Sequence, residues 1–554
     1  MTKFKQPKKK SVDLGDGFIS PKPPLSTKNP KAEQDIRKRF SQSYSPKADS
    51  FKGRVQSEDS FGYVSRSKPQ PSDDVDLSLV GSLEDTASPK QKKSFFSRFR
   101  KSRKDRPRSK RIARGVAVSM IALLLGVGSL FTYGYLKARN IFGGNGEGAA
   151  ALQENIDPTQ LNGEGDGRVN ILLLGKGGPG HEAPDLTDTI LVASIDPLQN
   201  EAALLSVPRD FFVEDQNGNG TKINAVYSNA KQSAAYNGSQ NEDEIENAGL
   251  RAIKKSVTDV IGIPIHYHVM VNFDAFESAI DTVGGITVDV KEPLYDQSVA
   301  WLLGGNPLVA DRGLQTFDGE RALLYARSRK GSARGDFDRT ERQREVIVAL
   351  QQKVISVGTF SNPFRIIELL DAAGDNVRTD LNGLGELKRL YEIGQKIGAD
   401  RITSVGLADP PNVLVATDMI AGQSVVVPIA GLYQYDDIKS YVRNTLRDPF
   451  LKQEDARILI LNGTDTPGLA SATEKELKSF GYNVVGVGDA PEGSYPKSLL
   501  FNVAAEEKPF TESYLKRRIS LEVSTQSIVG LPTSETADFV IILGEDEAIK
   551  ATTN

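Results

Sequence analysis

Arginine carries most of the chemistry in this sequence. The stretch LLYARSRKGSARGDFDRTERQRE (323–345) holds Arg327, Arg329, Arg334, Arg339, Arg342 and Arg344 around Asp336 and Asp338, with a single lysine. Arg209 stands apart, in SVPRD (206–210). Arg339, Arg342 and Gln343 fall at i, i+3 and i+4, which places them on one face of a helix. Guanidinium groups are planar, always charged and forked, so they hold phosphate oxygens in pairs. Solvated Asp–Arg pairs are the plainer reading of such a run. Against it, residues 115–554 carry 40 basic against 59 acidic side chains, so a local excess of arginine cuts across the composition. Asp185 and Asp188 in APDLTDTI form a carboxylate pair suited to Mg²⁺ bridging phosphate oxygens, although such pairs also cap turns. Lys222 and Asn224 in KINAVYSNA are candidate substrate contacts, with an ordinary turn as the alternative.

Other chemistries are excluded early. The 554 residues include no cysteine, which removes disulfides, thiolate metal sites and cysteine nucleophiles. Three histidines, His181, His266 and His268, leave little for a histidine metal site or a Ser-His-Asp triad. Gly175 to Gly180 matches G-x-G-x-x-G after an apolar run, but a dinucleotide site needs a helix next. The next apolar run begins at Thr189, and Pro179 and Pro184 interrupt the interval. No G-K-[ST] follows either.

The elements that must position these residues read as α/β. VNILLLG (169–175), TILVASI (189–195), EAALLSV (201–207), HYHVMVN (266–272), ITVDV (286–290) and ITSVGL (402–407) are compact apolar runs suited to strands. Helical patterns are expected at 243–261, 274–283, 319–326, 339–357, 363–372, 383–397 and 435–446. This alternation predicts a sheet covered by helices over residues 168–450. A polar break at 452–455 precedes a smaller α/β unit, 455–546. Its expected strands are ARILILN (456–462), YNVVGV (482–487) and ADFVIILG (537–544), with helices at 469–480 and 511–523.

Everything before this differs in character. Residues 1–114 carry 29 basic against 13 acidic side chains and few apolar ones, the composition of a disordered basic tail. Residues 115–136 are 22 uncharged residues, enough to span a bilayer as one helix. Twelve Lys and Arg in 92–114 place the tail in the cytoplasm and the rest outside, at the cell membrane. A basic flank beside an anchor attracts anionic headgroups, so no nucleic acid is expected. Residues 137–167, Gly-rich and acidic, read as a linker.

At this point the residues resemble a known family. NILLLG, LTDTILVASIDP, LLSVPRDFFV, KINAVY, VNFDAFESAIDTVGGITVDV and LLYARSR with GDFDRTERQ have the order and spacing of the LytR-CpsA-Psr family. The tail from Ala456, with ILNGTDTPGLA and ADFVIILGEDE, looks like the LytR C-terminal domain. The resemblance implies an α/β/α domain outside an anchoring helix. It implies a phosphotransferase that moves a polyprenyl-diphosphate-linked glycopolymer, such as teichoic acid, onto peptidoglycan and releases polyprenyl phosphate. It carries Mg²⁺ onto Asp188, diphosphate contacts onto Arg209, Arg327, Arg329, Arg339 and Gln343, and an arginine-orienting role onto Asp336. The sequence departs from the family pattern at Gly177 and Leu186, where Asp and Arg are usual. A polyprenyl-diphosphate phosphatase and a non-catalytic cell-wall adaptor are the alternatives. A DNA-binding regulator is discounted, because every folded unit lies beyond the anchor.

Overall fold

The computed structural model describes residues 141–142, 148–153, 156–358, 368–369, 371, 374, 376–519, 521–524 and 536–553. The expected tail (1–114), anchor (115–136) and most of the helix at 363–372 lie outside them. Among the described residues no helix is long and apolar enough to cross a membrane.

The larger unit is built on a six-stranded mixed sheet. Its strands are β1 (Val169–Lys176), β2 (Thr187–Asp196), β3 (Glu201–Ser206), β4 (Tyr267–Asn272), β5 (Val377–Thr379) and β6 (Ile402–Gly406), in the order β5-β4-β1-β2-β3-β6. β1 and β4 pair in parallel, as do β3 and β6, while β2 runs antiparallel between β1 and β3. The apolar runs are uninterrupted because both faces are covered. Leu172, Leu174, Ile190 and Val192 pack under α1 (Ile223–Tyr236), α2 (Glu242–Ile261) and a later helix that contributes Ile438 and Val442. Ile171 and Tyr267 face the other way, toward Leu381, Ile393 and Ile397.

A satellite layer carries the arginines. α3 (Phe273–Thr282), α4 (Gly319–Arg327) and α5 (Asp336–Ser356) pack with the ladder formed by Ile286–Val290 and Gly313–Phe317. Asn272 caps α3 and Asp318 caps α4, each accepting from a backbone N–H in the first turn. Arg344, only 2 % exposed, fixes α5 to the sheet, donating to Ser206 at the end of β3, to Ser404 within β6 and to Asp409. Further helices of this unit are α6 (Leu384–Gly394), α7 (Asp436–Thr445) and α8 (Pro449–Glu454).

The smaller unit has a five-stranded sheet of β7 (Arg457–Asn462), β8 (Asn483–Asp489), β9 (Leu499–Asn502), β10 (Glu522–Val523) and β11 (Phe539–Leu543), in the order β8-β7-β11-β9-β10. Its helices are α9 (Leu469–Ser479), α10 (Pro509–Ile519) and α11 (Glu545–Thr553). Two expectations are corrected here. The helix expected over 511–523 ends at Ile519, and Glu522–Val523 pairs with β9 instead. β9 was not anticipated, because its short apolar run SLLFNV follows a Pro- and Gly-rich segment.

The expected linker is corrected as well. In its described part it is packed, not free. Leu161 is fully buried in the core of the smaller unit, and Ala149, Ala151 and Leu152 lie in the core of the larger one. The Gly165 and Gly167 N–H groups donate to Asp448, which also receives from the Tyr514 hydroxyl of α10. Glu164 pairs with Arg518 at 2.6 Å.

Candidate active site

The carboxyl ends of β1, β3, β4 and β6 open on one edge of the sheet, and β2 begins there. Open α/β sheets bind ligands at this edge. Asp188 enters as the second residue of β2. Arg209 follows β3, its carbonyl held by the Asn224 N–H at 3.1 Å as α1 begins. Arg209 Nη1 donates to Asp188 Oδ1 at 2.6 Å, and its Nε lies 3.6 Å from Asp336 Oδ1. Asp336, in the first turn of α5, holds Arg339 Nη2 at 3.0 Å, and Arg339 also reaches the Asp188 carbonyl. Asp188, Arg209, Asp336 and Arg339 therefore form one alternating chain of charge.

That chain is incompletely satisfied. Arg209 Nε, Arg339 Nε and Asp336 Oδ1 are buried without a hydrogen-bond partner. Arg339 is 4 % exposed, and burial lowers its pKa to about 10, with Arg209 and Arg329 adding repulsion and Asp336 opposing. Arg209 is held above its ordinary value: burial opposes its charge, but Asp188 and Asp336 outweigh burial. A cluster of partly desolvated guanidinium groups suits an anion.

Arg327 ends α4, where a cation suits the helix dipole. Its guanidinium lies 4.2 Å from the Phe273 ring centroid. Burial lowers its pKa, against the pull of Asp188 and Glu277. Arg329 follows on a loop whose N–H donates to Asp296, and both arginines line one cavity. The loop needs its glycine: Gly331 has φ +86°, and a Cβ there would stand 2.0 Å from the Tyr295 carbonyl.

The rest of the arginine run serves other ends. Arg342 is corrected from a substrate contact to a support. It is buried, donating from Nε to the Tyr325 carbonyl at 3.1 Å and from Nη2 to the Ser328 carbonyl. Gln343 likewise donates to the Ala326 carbonyl. The two hold the end of α4 that presents Arg327 and Arg329. Arg334 fits the plainer reading, pairing with Asp338, Glu341 and Asp409. Lys222 borders the site but pairs with Asp210 at 2.8 Å, and Asn224 is buried with its carbonyl accepting from Thr187.

Asp185 is corrected as a metal ligand. Lys176 holds one of its oxygens at 2.9 Å and Lys231 the other at 3.0 Å. Burial opposes its ionisation, yet the two ammonium groups outweigh burial and hold its carboxyl below the ordinary value. Lys231 also pairs with Glu246, which accepts the Tyr227 hydroxyl. Sequence reasoning missed this network, although Ile223, Val226, Tyr227 and Ala230 already had the spacing of the helix that builds it. Among the described residues no group of three or more His, Cys, Asp and Glu side chains could hold a metal ion.

The sequence profile of the LytR_cpsA_psr family matches residues 138–427, and that described as LytR cell envelope-related transcriptional attenuator matches residues 455–546. The chain is 29 % identical over 351 residues to a protein of Corynebacterium glutamicum named cell wall biosynthesis protein LcpA, covering 59 % of this chain and 64 % of that one. It is 32 % identical over 234 residues to TagV of Bacillus subtilis, named a polyisoprenyl-teichoic acid–peptidoglycan teichoic acid transferase, covering 41 % of this chain and 54 % of that one. The chain thus spans between about half and two thirds of these relatives' lengths. A crystal structure of B. subtilis TagV aligns over 51 % of this chain and 96 % of that one, with 26 % identity and a TM-score of 0.38.

Proposed function

The chain belongs to the LytR-CpsA-Psr family, and from that premise we propose that it transfers a polyprenyl-diphosphate-linked glycopolymer onto a peptidoglycan hydroxyl. The observation that carries the reading is the convergence of Arg209 and Arg339 on Asp188 and Asp336, beside Arg327 and Arg329. A diphosphate supplies oxygens that suit the guanidinium groups gathered there. Phosphoryl transfer asks mainly for positioning and charge neutralisation, and this site offers both without a nucleophilic side chain. The acceptor oxygen attacks the phosphorus that bears the glycopolymer, the bond to polyprenyl phosphate breaks, and the arginines hold the charge that develops on both phosphates. Asp336 orients Arg339 and Arg209, and Arg342 and Gln343 brace the segment that carries Arg327 and Arg329.

Asp188 fits a Mg²⁺ ion as one carboxylate ligand, since it keeps an oxygen free of Arg209 and sits at the cluster's edge. Mg²⁺ commonly takes one or two carboxylates and completes its shell with water and phosphate oxygens. When bound it would neutralise diphosphate charge. The proposal extends to location: residues 115–136 anchor the chain, with 1–114 cytoplasmic and the catalytic unit outside. Protease added to wall-stripped cells then digests the part beyond residue 140 and spares the tail.

The test is release of polyprenyl phosphate by the full chain, given a lipid-linked glycopolymer and peptidoglycan, with coupled product measured in parallel. Release with coupling is expected. Release without coupling means a phosphatase, and that outcome, or the absence of both products, overturns the transfer reading. Arg329→Lys keeps charge but loses the fork, and activity is expected to fall about 100-fold with melting unchanged.

A further inference from the structure

Beside the arginine cluster lies a cavity of about 620 Å³, within the usual size of a small-ligand site. Phe273, Glu277, Trp301, Glu320, Arg327 and Arg329 line it. Phe273 and Glu277 stand one turn apart on α3, on one face. Trp301 is the chain's one tryptophan, on the short turn Gln297–Leu303, and it is 76 % exposed. An aromatic plate held into water beside carboxylates is unlike a core residue.

The turn is tied to the arginines. Asp296, 2 % exposed, accepts from the Ser298 N–H at the start of that turn and from the Arg329 N–H. Arg327 joins the two regions, because its charge is felt by Asp188 on one side and Glu277 on the other. The cavity therefore opens directly beside the place assigned to the diphosphate. Its chemistry is that of a sugar: the C–H face of a pyranose ring packs on an aromatic ring, and its hydroxyls donate to carboxylates. Burial, then Glu320, Asp274 and Asp281, raise the Glu277 carboxyl above its ordinary value, with Arg327 opposing. A carboxylate of raised basicity suits a general base.

We infer that this cavity is the acceptor subsite, with Trp301 stacking on the acceptor sugar and Glu277 taking the proton of the attacking hydroxyl. The inference rests on the transfer reading above. The hydroxyl oxygen's electron pair forms the new O–P bond as its proton passes to the Glu277 carboxylate. The electrons of the broken P–O bond leave on polyprenyl phosphate, beside the arginines. Glu277 then returns the proton to water.

The test uses the full chain and soluble, lipid-free peptidoglycan glycan strands. With one tryptophan present, its fluorescence reports this site alone. A saturable change on adding glycan is expected. Trp301→Ala, at an exposed position, is expected to raise the acceptor KM at least tenfold and leave the donor KM unchanged. Glu277→Gln is expected to lower kcat at least 100-fold, to preserve the fluorescence response and to remove the acidic limb of the kcat–pH profile. No fluorescence response, with an unchanged acceptor KM in Trp301→Ala, overturns the subsite. A wild-type kcat in Glu277→Gln overturns the base. A glycan response from a chain that transfers no donor refutes the transfer reading and leaves a sugar-binding site.

Discussion

Replacing Arg339 with methionine is expected to make the protein more stable and inactive. The side chains are similar in length, so the change removes charge with little loss of volume. Burial pushes the Arg339 guanidinium down to about 10, and at about 1.4 kcal/mol per unit the fold opposes this charge by roughly 3 kcal/mol. Methionine removes that penalty. It also removes the 3.0 Å ion pair to Asp336, a partly exposed carboxylate that keeps Arg209 nearby, at a cost of about 1 kcal/mol. The net is a gain of about 1–2 kcal/mol, or a melting point higher by roughly 1–3 °C at this size. Activity should fall by about 100-fold or more, because a donor aimed at the diphosphate is gone. Melting curves of the full chain with and without a short-chain polyprenyl diphosphate provide the assay. The ligand should raise the wild-type melting point and leave the variant's almost unmoved. A variant that melts lower than wild type refutes the reasoning, because Arg339 is then a structural tie and not a charge held ready for an anion.

Asp188→Asn should shift the Mg²⁺ dependence of transfer to higher concentration, while Asp185→Asn should keep the wild-type dependence, since Lys176 and Lys231 hold Asp185; equal shifts in a magnesium titration would restore the two-carboxylate site. Glu246, like Asp185, is held below its ordinary value: burial opposes its charge, and Lys231, Tyr227 and Lys176 outweigh burial. Depressed carboxyls lend stability that is present above about pH 4 and lost as pH falls through their folded values. Lys231→Met should therefore flatten the loss of stability between about pH 4 and 2, measured by denaturant unfolding, and an unchanged slope would count against the network. Asp448→Ala should lose roughly 2–4 kcal/mol, because four backbone N–H groups and the Tyr514 hydroxyl lose their acceptor. Limited proteolysis should then cleave near residues 448–456 faster than in wild type, and an unchanged rate would refute the role of this carboxylate.

The sheet was legible because its strands are short apolar runs between turn residues, as VNILLLG and TILVASI show. The hairpin Val415–Ile420/Gln423–Pro428 was not, since Ala416–Met419 are exposed in a row and give no alternating apolar face. At the site, spacing correctly gave Arg339, Arg342 and Gln343 a common helix. It could not say that Arg342 and Gln343 would meet the carbonyls of α4 while Arg339 turned to Asp336. That depends on where α4 ends, a tertiary fact. Asp185 misled for a similar reason. Its proximity to Asp188 is local, whereas Lys231 reaches it from a helix 46 residues away in sequence. Glu277 and Trp301 gave no signal, being single residues on separate elements that only tertiary packing brings to one cavity.

The short stretch 156–168 is stitched into both units at once, and this fixes an order in time. Leu161 fills the core of a sheet whose first strand starts at Arg457, and Glu164 waits for Arg518, 354 residues later. Closing such distant pairs is slow, because loop entropy is lost before contacts are gained. A chain that emerges from its amino end makes this stretch early and satisfies it last. Until residues 448–519 arrive, its apolar and charged groups stand open to a chaperone, a protease or the membrane surface. Separating the smaller unit at residue 455 would leave the place of Leu161 empty, so the boundary in sequence is not the boundary along which the molecule comes apart.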